Sequence, residues 1–225
     1  MGLGAIIVCR MDSARFPGKV LKQLCGKPVL EHVIHRCQQM KTLERGLAVA
    51  TTNRPVDDAI IEFCERLDVP VFRGATDNVA GRLLDCAHSF GFDGFFRVNA
   101  DSPLLEPSLL DQAARLSHDR AYDLVTNLHP RTFPYGISIE LLRTSSFAVA
   151  VRRMSLPEHF EHVTRYFYDH ADEFRILNIS NPCLVANLPR LTVDTPEDLE
   201  RLEHLLSGAS SQSRFTVTET FAPAG

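Results

Sequence analysis

Between Val8 and Leu21 the chain reads Cys9-Arg10-Met11-Asp12-Ser13-Ala14-Arg15-Phe16-Pro17-Gly18-Lys19-Val20, which gathers three cations and a glycine into one short stretch. Arg15 and Lys19 can neutralise a polyphosphate, and Gly18 lets backbone N–H groups approach phosphate oxygens closely. A solvated basic turn is the competing reading. The stretch is neither G-x-x-x-x-G-K-[ST] nor G-x-G-x-x-G, so the ATPase and dinucleotide fingerprints are absent. Two aspartates add a second indication. Asp101, in Asn99-Ala100-Asp101-Ser102-Pro103, and Asp194, in Thr192-Val193-Asp194-Thr195-Pro196, each follow a short strand-like run. Brought together, two carboxylates can hold Mg²⁺, a hard ion that fills its remaining positions with phosphate and water. Taken singly, Asp194 reads as a helix N-cap and Asp101 as a turn residue. With the basic stretch they make up the parts of phosphoryl or nucleotidyl transfer.

These groups meet only if the elements between them deliver them to one edge. Ala5–Cys9, Leu47–Thr51, Val69–Phe72 and Phe95–Val98 are short apolar runs of the kind that forms strands covered on both faces. Helical periodicity separates them over Val29–Met40, Asp57–Leu67 and Asn78–Phe90, the last after a Thr76-Asp77 capping signal. A further helix over Pro107–Ser117 precedes a strand-like Asp123–Asn127. This alternation predicts an α/β fold with an open, mostly parallel sheet flanked by helices, whose ligands lie at the carboxyl ends of the strands. After Asn127 the rhythm changes. The segment His129–Gly136, with two prolines, predicts a loop near the site. Next come a strand over Ile137–Glu140, helices over Glu140–Arg152 and Pro157–His170, and an extended Glu173–Ile179, read together as an insertion beside the sheet. Arg190–Val193 predicts a returning strand, and Pro196 opens a helix carrying Leu199, Leu202, Leu205 and Leu206.

With 225 residues, 44% hydrophobic and 23% charged, the chain has the length and balance of one generous globular domain. The expected organisation is a single domain over 1–206, with the insertion at about 128–185, and a Ser-, Gly- and Thr-rich mobile tail over 207–225. A formal net charge of -4 lacks the basic excess needed to bind long nucleic acid. The apolar opening is too short to span a bilayer, so no membrane partner is expected. Six scattered cysteines (Cys9, Cys25, Cys37, Cys64, Cys86, Cys183), with no C-x-x-C pair and no secretory leader, fit a reduced cytoplasmic compartment.

The order of several blocks resembles sugar cytidylyltransferases. They are Arg10–Leu21, Gly26-Lys27-Pro28-Val29-Leu30, Ala50-Thr51-Thr52, Phe72–Val79, Asn99–Pro103 and Thr192–Leu199. The likeness is strongest to the spore coat polysaccharide F branch, related to the CMP-KDO and acylneuraminate cytidylyltransferases, and it covers about residues 4–206. It implies a Rossmann-like, GT-A-like nucleotidyltransferase fold with a small acceptor-side insertion. It also implies that Arg10, Ser13, Arg15 and Lys19 surround the phosphates of CTP, while residues around Thr51 and from Arg73 and Gly74 to Asp77 line the cytidine. Met11 and Asn99 complete the nucleotide-binding set. Asp101 and Asp194 would hold Mg²⁺, and with Arg10, Arg15 and Lys19 they form the implied catalytic group. An anomeric hydroxyl of a sugar, expected to be acidic and bound for surface polysaccharide, would attack the α-phosphorus and release pyrophosphate. A homodimer is implied too. Another nucleotide donor, or a non-catalytic nucleotide-binding module, remains open at this point. Two positions depart from the pattern: Cys9 stands where related motifs often have Ala, and Asp12 puts a negative charge among the cations, where it either weakens phosphate binding or orients Arg15.

For the acceptor, Arg131, Phe133, Pro134, Tyr135 and Gly136, followed by Glu140, combine a cation, aromatic faces and a polar end, as a sugar pocket requires. A Pro-stiffened surface loop is the competing reading. Glu161 and His162 belong to a Glu-His-Val-Thr block that resembles the family's own. His159 and His162 lack the H-E-x-x-H spacing, so no zinc site is expected.

Overall fold

The computed structural model describes residues 2–119, 122–181 and 189–208. Strand β1 (Leu3–Val8) carries no charge and is almost wholly buried, as a strand between two helical layers must be. A short hairpin, β2 (Gln23–Leu24) with β3 (Lys27–Pro28), leads into α1 (Val29–Gln38). The alternation then runs β4 (Leu47–Thr52), α2 (Asp58–Arg66), β5 (Val71–Gly74), α3 (Val79–Ser89), β6 (Gly94–Asn99) and α4 (Pro107–Asp119). The second part supplies β7 (Leu124–Thr126), β8 (Glu140–Arg143), α5 (Thr144–Arg153), α6 (Pro157–Glu161), α7 (Arg165–Asp169), β9 (Ile176–Asn178) and α8 (Pro196–Gly208).

The sheet order is β5-β4-β1-β6-β8-β7-β9, mostly parallel, with β8 running antiparallel to both β6 and β7. Register sets Val8 level with Ala50 on one side and Asn99 on the other, so the segments after β1, β4 and β6 leave from one edge. Alternation along the strands builds two cores. Ala5, Ile7, Val49 and Val98 pack toward α1, α2, α4 and α8, while Ile6, Ala48, Ala50 and Phe95 pack toward α3, α5 and the α6–α7 pair.

The first half follows the sequence reading with small boundary shifts, and the second half corrects it. The strand expected over Ile137–Glu140 begins instead at Glu140, and the helix expected from Glu140 begins at Thr144. Leu141 and Leu142 pair with Phe96 and Phe95 of β6, a long-range fit that overrides local helical periodicity. The helix expected over Pro157–His170 is two short helices, parted at 162–164 where Val163 turns fully into the core.

Arg190–Val193 is not a strand. The segment laces two loops together: the Leu191 N–H donates to the Tyr135 carbonyl at 2.7 Å, and the Val193 N–H to the Asp101 carbonyl at 2.9 Å. Gly136 makes that lacing possible, because its φ is +102° and a Cβ there would stand 2.6 Å from the Leu191 carbonyl oxygen. Gly136→Ala is therefore expected to destabilise the fold by about 1–3 kcal/mol. An unchanged urea midpoint would contradict this. Cys183 and the tail beyond 208 lie outside the described residues.

Candidate active site

The basic loop that follows β1 is fixed by a residue the motif does not contain. Asp57, wholly buried ahead of α2, accepts a hydrogen bond from the Met11 N–H at 2.7 Å and another from the Thr52 hydroxyl. Gly18, at φ +69°, folds the loop back so that its N–H reaches the Met11 carbonyl at 2.8 Å. Met11 is thus an anchor whose backbone is engaged on both sides. Asp12 pairs with Arg54 rather than orienting Arg15, and hydrogen bonding and charge from that arginine hold its carboxyl below the ordinary carboxylate range.

Arg15 instead reaches Asp194 at 3.0 Å. Lys19 stands between the two aspartates of the sequence reading: its Nζ lies 2.7 Å from Asp101 Oδ2 and 3.0 Å from Asp194 Oδ1. Asp194 does not cap α8. Asp198 accepts from the Asp194 and Thr195 N–H groups at 3.0 and 3.1 Å, and Thr195 Oγ1 accepts from the Asp198 N–H at 3.3 Å, a reciprocal capping box. The Asp194 carboxylate is left for the cations. Burial pushes its pKa up, but the hydrogen bond and charge of Lys19, with the charge of Arg15, outweigh this and lower it.

A carboxyl with a depressed folded pKa stabilises the fold above its unfolded value and loses that contribution as pH falls through the folded value. The difference in melting temperature between the native chain and Asp194→Asn should be constant above about pH 5 and change once pH drops below about 4. A difference that varies between pH 6 and 8 would contradict this.

Two carboxylates within 3.0 Å of one ammonium can also converge on one small cation. Among the described residues no group of three or more His, Cys, Asp or Glu could hold a metal. The donor set therefore suits an ion that takes its other oxygens from phosphate and water.

A cavity of about 350 Å³ opens at this edge, and Arg10, Ser13, Arg15, Lys19, Asn99, Asp101, Asp194, Glu161 and His162 all line it. Other members of the expected set do not. Arg73 donates to the Thr52 and Arg54 carbonyls at 3.1 Å each and pairs with Asp58 at 2.8 Å, so its guanidinium holds the β4–α2 turn. Thr51 is wholly buried, Gly74 lies against the stem of Arg82, and Asp77 is exposed on the turn before α3.

Phe133 sits in the core, Pro134 and Gly136 are buried, and none of Arg131–Gly136 lines the cavity. Tyr135 is half exposed, with the guanidiniums of Arg131 and Arg190 4.4 and 4.7 Å from its ring centroid. Glu140 is no pocket tip. It is 2% exposed and accepts from Arg97 and, at 2.6 Å, from the Thr164 hydroxyl. Arg97 and Arg82, which sequence reasoning missed, do line the cavity. Each interrupts an apolar pattern, Phe95-Phe96-Arg97-Val98 in a strand and Val79-Arg82-Leu83-Cys86 on a helix face, and that interruption was the available signal.

The fold and the cavity together are those of a nucleotidyltransferase. The family described as Cytidylyltransferase matches residues 4–220, and the chain belongs to it. Its members transfer CMP from CTP and release pyrophosphate. The chain is 29% identical to the spore coat polysaccharide biosynthesis protein SpsF of Bacillus subtilis, over 95% of this chain and 90% of that one. It is 28% identical to the 3-deoxy-manno-octulosonate cytidylyltransferase of Geobacter sulfurreducens, over 98% and 92% of the two chains. The structure of a cytidylyltransferase from Leptospira borgpetersenii superposes with a TM-score of 0.88 at 29% identity, covering 94% of this chain and 89% of that one. No described helix is long and apolar enough to cross a membrane.

Proposed function

We propose that this cytidylyltransferase acts on the anomeric hydroxyl of an acidic sugar used for surface polysaccharide, with Asp101 and Asp194 as the Mg²⁺ ligands. The observation that carries the reading is Lys19 Nζ held within 3.0 Å of both carboxylates, on the wall of a cavity rimmed by Arg10 and Arg15. Arg15 and Lys19 neutralise the triphosphate and hold the α-phosphorus in line with the incoming hydroxyl. The oxygen–phosphorus bond forms as the bond to the pyrophosphate bridge breaks, the hydroxyl proton passes to solvent, and the leaving electron pair stays on pyrophosphate. Such a step depends on alignment and charge stabilisation, with no covalent protein intermediate. A divalent ion bound by the two aspartates would add positive charge where the phosphates gain negative charge. Glu161 and His162, on the same cavity, are the acceptor residues in this reading. A cytoplasmic homodimer completes it, on the strength of the family likeness.

The test is a thermal-shift titration of the four nucleoside triphosphates with and without Mg²⁺, followed by pyrophosphate release from CTP with 3-deoxy-manno-octulosonate and other sugar acids. Metal-dependent stabilisation selective for CTP, then release requiring both substrates, is the expected result. No stabilisation by any nucleotide would overturn the reading. Lys19→Ala should weaken CTP binding while leaving cytidine binding less affected, and equal weakening would contradict a phosphate role for Lys19.

A further inference from the structure

Arg97 is a cation inside strand β6, and the phosphate and metal groups of the proposed reaction make no use of it. Register sets it beside Ile6 of β1, on the face of the sheet that packs toward α3 and the α6–α7 pair. Its side chain is mostly buried and lines the cavity. Glu140 does not meet it fork to fork. One oxygen of Glu140, Oε2, accepts from Arg97 Nη1, and the other, Oε1, accepts from the Thr164 hydroxyl at 2.6 Å. Arg97 Nε is buried and has no hydrogen-bond partner among the described residues. Such a donor is costly to bury unless something else meets it.

The geometry of that donor selects its partner. Nε–H and one Nη2–H point the same way, on the side of the guanidinium away from Nη1, and such a fork matches two coplanar acceptors. A carboxylate presents them with a charge, which makes each bond about twice as strong as a neutral one. A phosphate would present them too, but Lys19 meets Asp101 beyond the end of β6, at 2.7 Å, whereas Arg97 lies roughly 7 Å behind Asn99 on the same face of the strand. The residues of the acceptor reading stand with Arg97 instead. Through Thr164, Glu140 pins the corner between α6 and α7 that carries Glu161 and His162, and both share the cavity wall with Arg97. Glu161 has a cation of its own in Arg10, at 3.9 Å, and leaves the fork to a ligand.

We propose that the Nε–Nη2 edge of Arg97 binds the carboxylate of the acceptor and sets the preference for sugar acids over neutral sugars, with Glu140 fixing the guanidinium plane. This rests on the reading that the cavity takes an acidic acceptor. The purely structural alternative is a buried pair joining β6 to β8, for which the single bond to Glu140 suffices.

Arg97→Lys keeps the charge beside Glu140 but loses the fork. Pyrophosphate release from CTP is followed with 3-deoxy-manno-octulosonate, N-acetylneuraminate and glucuronate, each as the free acid and as its methyl ester, which keeps the sugar and loses the charge. The native chain is expected to prefer an acid. In Arg97→Lys the KM for that acid should rise, and the acid-to-ester ratio of kcat/KM should fall by about tenfold or more, while calorimetric CTP affinity is unchanged. An unchanged ratio, or equal loss for acid and ester, overturns the proposal in favour of the structural pair, whatever happens to the melting temperature. Should Arg97→Lys not fold, Arg97→Gln combined with Glu140→Gln removes both charges and leaves a neutral polar pair, and the same fall in the ratio is expected. Native protein that uses none of the acids, or uses an ester as well as its acid, would sink the acidic-acceptor reading and the role of Arg97 with it. A native preference for the acid that survives in the variants would sink only the latter.

Discussion

Asp101→Ala combined with Asp194→Ala should lower pyrophosphate release from CTP by about 10³-fold or more, the scale at which loss of placed charge stabilisation is felt in a transfer reaction. The effect should come without loss of the fold. Asp194 is only partly buried, and the backbone of its segment is held by the Val193 bond to Asp101 and by Asp198, neither of which uses the removed carboxylates. Removing both carboxylates leaves Arg15, Lys19 and Arg190 without the anion they share. Metal-free binding of the triphosphate should therefore be retained or tightened while turnover collapses. Full activity in the double variant would remove both aspartates from the mechanism, and loss of metal-free CTP binding would show that they act through folding.

The second large effect concerns Glu140. Its carboxylate lies wholly inside the protein, holding Arg97 from the neighbouring strand and the Thr164 hydroxyl from the start of α7. Glu140→Ala leaves the Arg97 guanidinium, 16% exposed, without a counter-charge. Breaking one side of a buried pair costs about 3–5 kcal/mol, most of it from the charge left behind. Urea denaturation should show a loss of that size. Adding Arg97→Met should recover much of it, because the stranded charge is then gone. A loss under about 1 kcal/mol for Glu140→Ala would mean that water reaches Arg97 freely.

How much of this could be read from the sequence depended on how local the cause was. β1, β4, β5 and β6 and the helices between them announce themselves through period and composition, since each is covered on both faces or buries one stripe. The basic loop and Asp101 were legible for the same reason, since they follow β1 and β6, which end at one edge, whereas Asp194 follows a segment that is no strand. β8 was not, because Leu141 and Leu142 take strand geometry from partners distant in sequence, Phe96 and Phe95 of β6 on one side and Val125 and Leu124 of β7 on the other. Glu140 looked like the polar tip of a pocket, and only the packing of Arg97 and Thr164 puts it inside. The helix start at Pro196 was readable, but its cap was not: the box is formed by Thr195 and Asp198 rather than by Asp194, which is thereby freed. Arg82 and Arg97 were visible as cations in apolar patterns, but what they face depends on the tertiary fold.

Free thiols buried in the core give the molecule an internal clock. Cys9, Cys37, Cys64 and Cys86 are 2% exposed or less. Burial pushes Cys37, Cys64 and Cys86 up to about 12 and raises Cys9 well above its usual range, whereas Cys25 is partly exposed. Alkylation needs a thiolate in contact with solvent, so each buried sulfur reacts only during the moments when its surroundings open. Cys9, on the cavity wall, shares one core with Cys37 and Cys64, while Cys86, on the helix that carries Arg82, belongs to the other. Site-resolved labelling rates thus time the breathing of the two layers separately, and would register a nucleotide closing one of them before any product is made.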